Sequence, residues 1–318
     1  MLKNQGTRMT AIDEAGPGSR TNRTLVAAGL ILVYAFIIGF TDNFVQTIAS
    51  DAGLWQFHAT RSALAFAIMA AAAPLLGLSV RPRNWTAVMG RSMIHGCAMV
   101  IYFGCLAFLS VAEVAAGLFT APIFVLLISR FVYGQKIGPF RIFAVALGFA
   151  GALMVLGIGP GADVGPAMLL PIAAGALYAM GNIATREWCT GETAETLLMG
   201  FFAGLGFFGL LGMAVLAIWH PEVPVGPDGF ILRGAVWPSA TFLFWTAIQA
   251  AGSLLGVGLM VKAYQIAEAS RVSVFEYVIL PCSAFWTWAL WGQVLDPLAG
   301  VGIVLIISAG MIIALRGK

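Results

Sequence analysis

Gly134-Gln135-Lys136-Ile137-Gly138-Pro139 returns 158 residues later as Gly292-Gln293-Val294-Leu295-Asp296-Pro297, an offset close to half of the 318-residue chain. One GQxxxP match would be chance, but three further features fall in register with it. Pro122 and Pro281 lie inside the apolar runs before the two Gly-Gln pairs, 12 and 11 residues upstream. Ala112-Glu113 and Ala267-Glu268 lie further upstream still. Downstream, both copies enter a glycine-containing apolar run, Ala146 to Gly157 and Val301 to Gly310. The chain reads as an internal duplication.

The composition names the solvent. Only 10% of residues are charged and 60% are apolar, with a mean hydropathy of +0.93, against about 25% and 45–50% in soluble domains. One water-soluble core cannot hide that much apolar surface. Apolar runs near 25–41, 54–80, 86–109, 114–133, 139–159, 166–185, 197–219, 236–264, 272–291 and 295–315 predict ten membrane helices, each needing roughly 20 residues. They are too long and continuous for barrel strands. The expected fold is an all-α integral membrane protein. Residues 1–24 read as a polar tail, 25–160 as a first five-helix repeat and 161–318 as a second.

Charge placement orients the bundle. Of 17 Lys and Arg, 15 fall on the side of the two termini; Arg61 and Arg233 lie toward the other. The opposite loops carry Asp42, Asp51, Glu113, Asp163, Glu222, Asp228 and Asp296. Basic loops stay inside, so both termini are expected in the cytoplasm, with the chain in the inner membrane. Five spans per half is odd, so the second copy threads the membrane oppositely to the first. Inverted repeats of this kind build secondary transporters, whose halves rock about a shared central site.

The same residues resemble a known family. Arg61 in the second span, Leu106-Ala107-Phe108, Pro122, the Gly-Gln loop and the glycine-rich fifth span are similar to an EamA repeat of the drug/metabolite transporter superfamily. Val274-Phe275-Glu276-Tyr277, Pro281 and Trp291-Gly292-Gln293 resemble the second copy. Gln135 and Gln293 depart from the Gly-Glu usual in that family, so a loop carboxylate is missing from both halves. The resemblance implies a carrier of small organic metabolites. It leaves open amino-acid or metabolite export and, prompted by Phe-Glu-Tyr, uptake of a vitamin or adenosyl-type cofactor (riboflavin- or S-adenosylmethionine-like).

Ionisable groups within lipid are costly and therefore suggest function. Glu276, with Ser283 and Thr287 on the same stripe, suits a cationic substrate group or a coupling proton; the structural alternative pairs it with Lys262 or Arg271. Arg61, one turn beyond His58 and two beyond Trp55, would form a cationic, aromatic lip, or would instead pair with Asp42 or Asp51. In the third span Arg91 is expected to snorkel, His95 to relay protons or hold a structural bond, and Tyr102 to line a cavity. Gln249 and Ser253 below Trp245, Tyr178 and Asn182, and Tyr34 and Thr41 form polar stripes that suit a pathway or interhelical bonds. Pro122 and Pro281 would open the helix backbone.

Other signals carry no chemistry. Gly204-Leu205-Gly206-Phe207-Phe208-Gly209 spells GxGxxG inside an apolar run with no preceding strand. Four cysteines form no CxxC, and neither they nor the three histidines suggest a metal or cofactor site. A membrane-embedded enzyme lacks a visible nucleophile–base pair, and a net charge of +3 points to no nucleic acid. The expected partners are a small-molecule substrate, lipid and a coupling proton.

Overall fold

The computed structural model describes residues 17–105, 108–109, 111–158, 165–294 and 296–316, which form helices and connecting turns. Residues 1–16 of the expected tail, Leu106-Ala107 and Asp163 lie outside the described residues. Nine described helical spans of 19–30 residues are long and apolar enough to cross a membrane, and Pro139–Val155 is a shorter apolar helix beside them. At about 1.5 Å per residue that helix rises about 26 Å, close to the roughly 30 Å of a hydrocarbon core. The bundle is therefore a ten-span α-helical membrane protein.

In chain order the helices are α1 (Pro17–Asp42), α2 (Val45–Asp51), α3 (Leu54–Leu76), α4 (Trp85–Cys105), α5 (Val111–Leu118), α6 (Ala121–Phe131), α7 (Pro139–Val155), α8 (Leu169–Glu187), α9 (Ala194–Trp219), α10 (Ala240–Ile266), α11 (Ala269–Phe275), α12 (Ile279–Trp291) and α13 (Pro297–Arg316). The first helix begins at Pro17, so the last eight residues of the expected polar tail are helical. The second span stops at Leu76, four residues early, where Gly77 takes a left-handed conformation (φ 64°) and caps it. The eighth begins at Ala240 behind a Ser239 side-chain cap, later than the apolar run suggested.

The fourth and ninth spans are broken, as the two prolines suggested. Pro122 sits in the first turn of α6, where its missing N–H costs nothing. The carbonyls around that break find other donors: the Thr120 hydroxyl donates to Gly117 O at 2.6 Å, and the Tyr277 hydroxyl donates to Phe119 O at 3.2 Å. In the ninth span the break is a 3₁₀ turn, Glu276–Val278, and Pro281 falls in the first turn of the next helix. Tyr277 thus belongs to one break and stitches the other. Phe119 and Tyr277, whose rings lie 6.0 Å apart, are separated by the same 158 positions as the two Gly-Gln loops.

Packing follows an exchange rule. α10 packs on α1 as α4 packs on α8, and α11 and α12 pack on α1 as α5 and α6 pack on α8. α7 packs against α13 and α3 against α9. Numbering the spans one to ten, each of these contacts maps onto another of them, or onto itself, when spans are shifted by five. Gly134 and Gly292 share left-handed backbones (φ 64° and 67°), and Pro139 and Pro297 each open the following helix.

The α7–α13 contact is backbone on backbone. A Cβ added at Gly302 would lie 2.5 Å from Gly151 O and 2.9 Å from Val155 Cγ2, whereas Gly300 faces open space. Gly302→Val should therefore cost about 1–3 kcal/mol by overpacking, seen as a lower thermal midpoint of the detergent-purified protein. Gly300→Ala should not lower the midpoint, since its added methyl meets open space and alanine is the better helix former.

Candidate functional site

A cavity of about 330 Å³ is lined by residues of spans one to nine. Its two ends differ. Asp42 is exposed within it, and Asn43, Leu118 and Thr287 are partly exposed. At the other end the lining is closed: Arg91 is fully buried, His95 is 2% exposed and Glu276 is 7% exposed. The cavity opens at the end where α1 and α12 finish.

The closed end is tied by charged and backbone bonds. Arg141 at the start of α7 meets Glu268 at 2.7 Å and donates to Ser270 Oγ at 2.9 Å. Arg271 donates to the same Glu268 carboxylate at 3.2 Å and reaches Thr24 of α1 at 3.5 Å. Glu192 accepts from the backbone N–H groups of Arg83 and Asn84 at 2.8 and 2.6 Å. Its own carbonyl accepts from Gln265 at 2.9 Å.

Glu276 stands where the 3₁₀ turn interrupts the ninth span. Its Oε2 accepts from the Tyr178 hydroxyl at 2.9 Å, and Oε1 accepts from Asn182 Nδ2 at 3.4 Å and from the Tyr264 hydroxyl. Neither suggested structural partner is present: Arg271 pairs with Glu268, and Lys262 is exposed. Among the described residues this carboxylate makes no ion pair. The Tyr178 hydroxyl also lies 2.9 Å from Met260 Sδ. It holds one proton for two acceptors. With Glu276 ionised that proton goes to the carboxylate; with Glu276 protonated the acid can donate to Tyr178, which then turns to the sulfur. Both states are hydrogen-bonded without moving an atom far.

Arg91 does not snorkel. It is fully buried, with Nε donating to Thr185 Oγ1 at 3.0 Å and Nη1 to Leu197 O at 2.8 Å, and it lines the cavity. The snorkelling rule failed because α8 and α9 cover the end of α4 and supply neutral acceptors there. His95 also lines the cavity, with both ring nitrogens lacking partners.

Arg61 lines the cavity and is 4% exposed, with Phe57 and Phe103 rings 4.8 and 5.6 Å from its guanidinium carbon. It pairs with neither expected carboxylate. Asp51 instead accepts from Ser239 Oγ at 2.6 Å, and Asp42 accepts from Gln249 Nε2 at 3.1 Å. Trp55, expected beside Arg61, turns away and donates to Ile231 O at 2.8 Å. The lip is thus Arg61 and phenylalanines, without the tryptophan.

Tyr34, Tyr102, Gln249, Ser253, Tyr178 and Ser283 all line the cavity, as does Pro122. Asn182 reaches it only through Glu276, and Pro281 lies outside the lining. Trp245 stacks on Phe44 (centroids 3.5 Å apart), and Thr41 gives its carbonyl to Gln249 at 3.0 Å. Asp42, assigned to a loop from sequence, is the acidic member of the site that periodicity missed. It ends the first apolar run, and a run's last residue looks like a boundary whether it faces water or a cavity.

A ten-span bundle around a cavity open at one end and lined by charged groups is a membrane carrier in form. Residues 25–157 match the model of the EamA-like transporter family. That part of the chain is EamA-like, and the relatives the chain resembles are transporters. The chain is 26% identical to a riboflavin transporter of Rhizobium johnstonii over 65% of this chain and 63% of the relative. It is 22% identical to the pseudopaline exporter CntI of Pseudomonas aeruginosa over 90% of this chain and 95% of the relative. An uncharacterized transporter of Helicobacter pylori is 23% identical over 71% of this chain and 72% of its own. A crystal structure of another protein superposes with a TM-score of 0.72 at 18% identity, over 93% of this chain and 99% of that one, which shows a shared fold.

The tied end gives a direct test. Losing the partly exposed Arg141–Glu268–Arg271 contact should cost about 1 kcal/mol, which shifts a two-state population about fivefold. In a cysteine-free background, a cysteine placed at Met260 should react with an impermeant maleimide from the terminal side about fivefold faster once Glu268→Ala is added. An unchanged rate would show that this end is held shut elsewhere.

Proposed function

We propose that the protein moves a small organic metabolite across the inner membrane by alternating access, with two inverted five-helix repeats, 25–160 and 161–318, tipping about the cavity. The exchange rule of the packing, the paired breaks and the matched Gly-Gln loops support the duplication. The observation that carries the mechanism is Glu276: a buried carboxylate with neutral partners, facing a cavity sealed at one end and open at the other.

Glu276 is the coupling site. Its hydrogen bonds accommodate either protonation state, so it can load a proton or exchange it for a cationic group of the substrate. Tyr102, Gln249, Ser253 and Ser283 bind along the path, and His95, with its unpartnered ring, stands beside Tyr178 as a relay (ring centroids 5.1 Å apart). Glu276→Gln should abolish the pH dependence of net transport in proteoliposomes while substrate–substrate exchange survives. Retained pH dependence would remove Glu276 from the coupling step.

The direction is read as export of an amino acid or similar metabolite, in keeping with the full-length likeness to an exporter. A second reading, uptake of a vitamin or adenosyl-type cofactor, draws on the likeness to riboflavin transporters. The basic residues around the closed end favour cytoplasmic termini, and on that reading the described conformation faces outward. Cysteines at Lys136 and Val294, 158 positions apart in the two Gly-Gln loops, test the inversion. In intact cells an impermeant maleimide should label the variant at 294 and spare the one at 136.

A further inference from the structure

Arg61 is a buried cation in the cavity wall that makes no contact ion pair among the described residues. It is 4% exposed and its Nε has no partner. Its one hydrogen-bond contact is between Nη2 and His58 Nδ1, at 3.4 Å. A guanidinium only donates, so His58 accepts there as neutral imidazole and brings no negative charge. Phe57 and Phe103 cover the guanidinium with ring faces, which favour a cation and leave the rim of the fork unbonded. Among the described residues the ion pairs are Arg141–Glu268, Arg186–Glu187 and Arg271–Glu268; Arg61 makes none. Asp42 is near enough for its charge to be felt, but it makes no contact with the guanidinium, and its Oδ1 accepts from Gln249 instead.

A buried guanidinium with no carboxylate in contact is expensive to keep. Replacing it with an apolar residue would relieve that cost, so its presence needs a ligand that restores the balance. Arg91, whose acceptors are also neutral, adds a second positive charge to the same cavity.

We infer that the transported molecule carries an anionic group, a carboxylate or a phosphate, that docks on the Arg61 fork. This rests on the transport reading above and narrows its substrate class. A planar fork accepts either group through two parallel N–H···O bonds. Beside polar groups such as Arg61 and Glu276 the lining is mostly apolar, with Met99, Phe103, Val257 and Ile279 among its members. The substrate is thus an acid or zwitterion with an apolar body, and a purely cationic or neutral molecule leaves Arg61 unanswered.

The test uses the purified full chain and a thermal-shift panel of four classes: carboxylates and zwitterionic amino acids, phosphorylated metabolites, neutral vitamins and nucleosides, and cationic amines. The strongest stabilisers should belong to the first or second class, which tells carboxylate from phosphate. Esterifying the best hit should weaken binding at least about tenfold. Arg61→Gln should weaken the acid by a similar factor and leave the ester unchanged, and Arg61→Lys should recover part of the loss. A best binder without an anionic group, no stabilisation by either anionic class, or equal effects of Arg61→Gln on acid and ester would each overturn the inference. Counterflow of the best binder in wild-type liposomes keeps the two readings apart. Counterflow of a neutral compound would leave transport standing and sink the anion site, whereas binding of an acid without counterflow would do the reverse.

Discussion

Backbone polar groups inside lipid must find partners within the protein, and the site depends on how this chain meets that demand at its two broken spans. A break frees carbonyls, and each freed group not bonded costs several kcal/mol in hydrocarbon. The fourth span is repaired by Thr120 and by Tyr277, a residue of the ninth span's own break. The two interruptions therefore cannot be placed independently. They meet at the middle of the bundle, and Glu276, one residue before Tyr277, is fixed there with them. The position of the carboxylate is set by the repair of the backbone.

Around that point charge is distributed without neutralisation. Glu276 is surrounded by two tyrosines and an asparagine, Arg91 by a threonine and a carbonyl, and Arg61 by phenylalanines and a neutral histidine. The charged pairs that a stability argument would favour are instead gathered at the closed end, on Arg141, Glu268 and Arg271. Ion pairs hold the closed end together, and the charged groups of the cavity wall make none among the described residues. Glycine follows the same division: Gly151 and Gly302 bring α7 and α13 into backbone contact, away from the cavity lining.

Much of this was legible in the sequence because lipid imposes simple rules. Ten apolar runs gave ten spans, and the prolines marked the breaks to within a few residues. Glu276, Tyr178, Gln249 and Ser253 emerged as polar positions in apolar runs, since such residues stand out against that background. The misreadings share one cause, which is that a single helix does not show what covers it. Arg91 looked like a snorkelling end residue until α8 and α9 closed over it. Trp55 shares a helical face with Arg61, yet a tryptophan at a helix start reaches sideways to the Ile231 carbonyl. Asp42 looked like a loop residue because the cavity is itself open to water at that end.

The arrangement also bears on why a carrier of this form need not leak. To pass between open states, the cavity must close around its lining and exclude water. An empty, closed cavity would hold the buried Arg61 and Glu276 with no ion-pair contact and no nearby water, at a cost of several kcal/mol per ion. On the proposed reading, a substrate acid neutralises the first and a proton or substrate cation neutralises the second, and the barrier falls only when both are satisfied. Partial loading still leaves one buried charge exposed to the low dielectric. Coupling then needs no separate gate for each ligand. It follows from the same deficit of counter-charge that makes the empty site unstable, and the cation and anion requirements become two halves of one electrostatic condition.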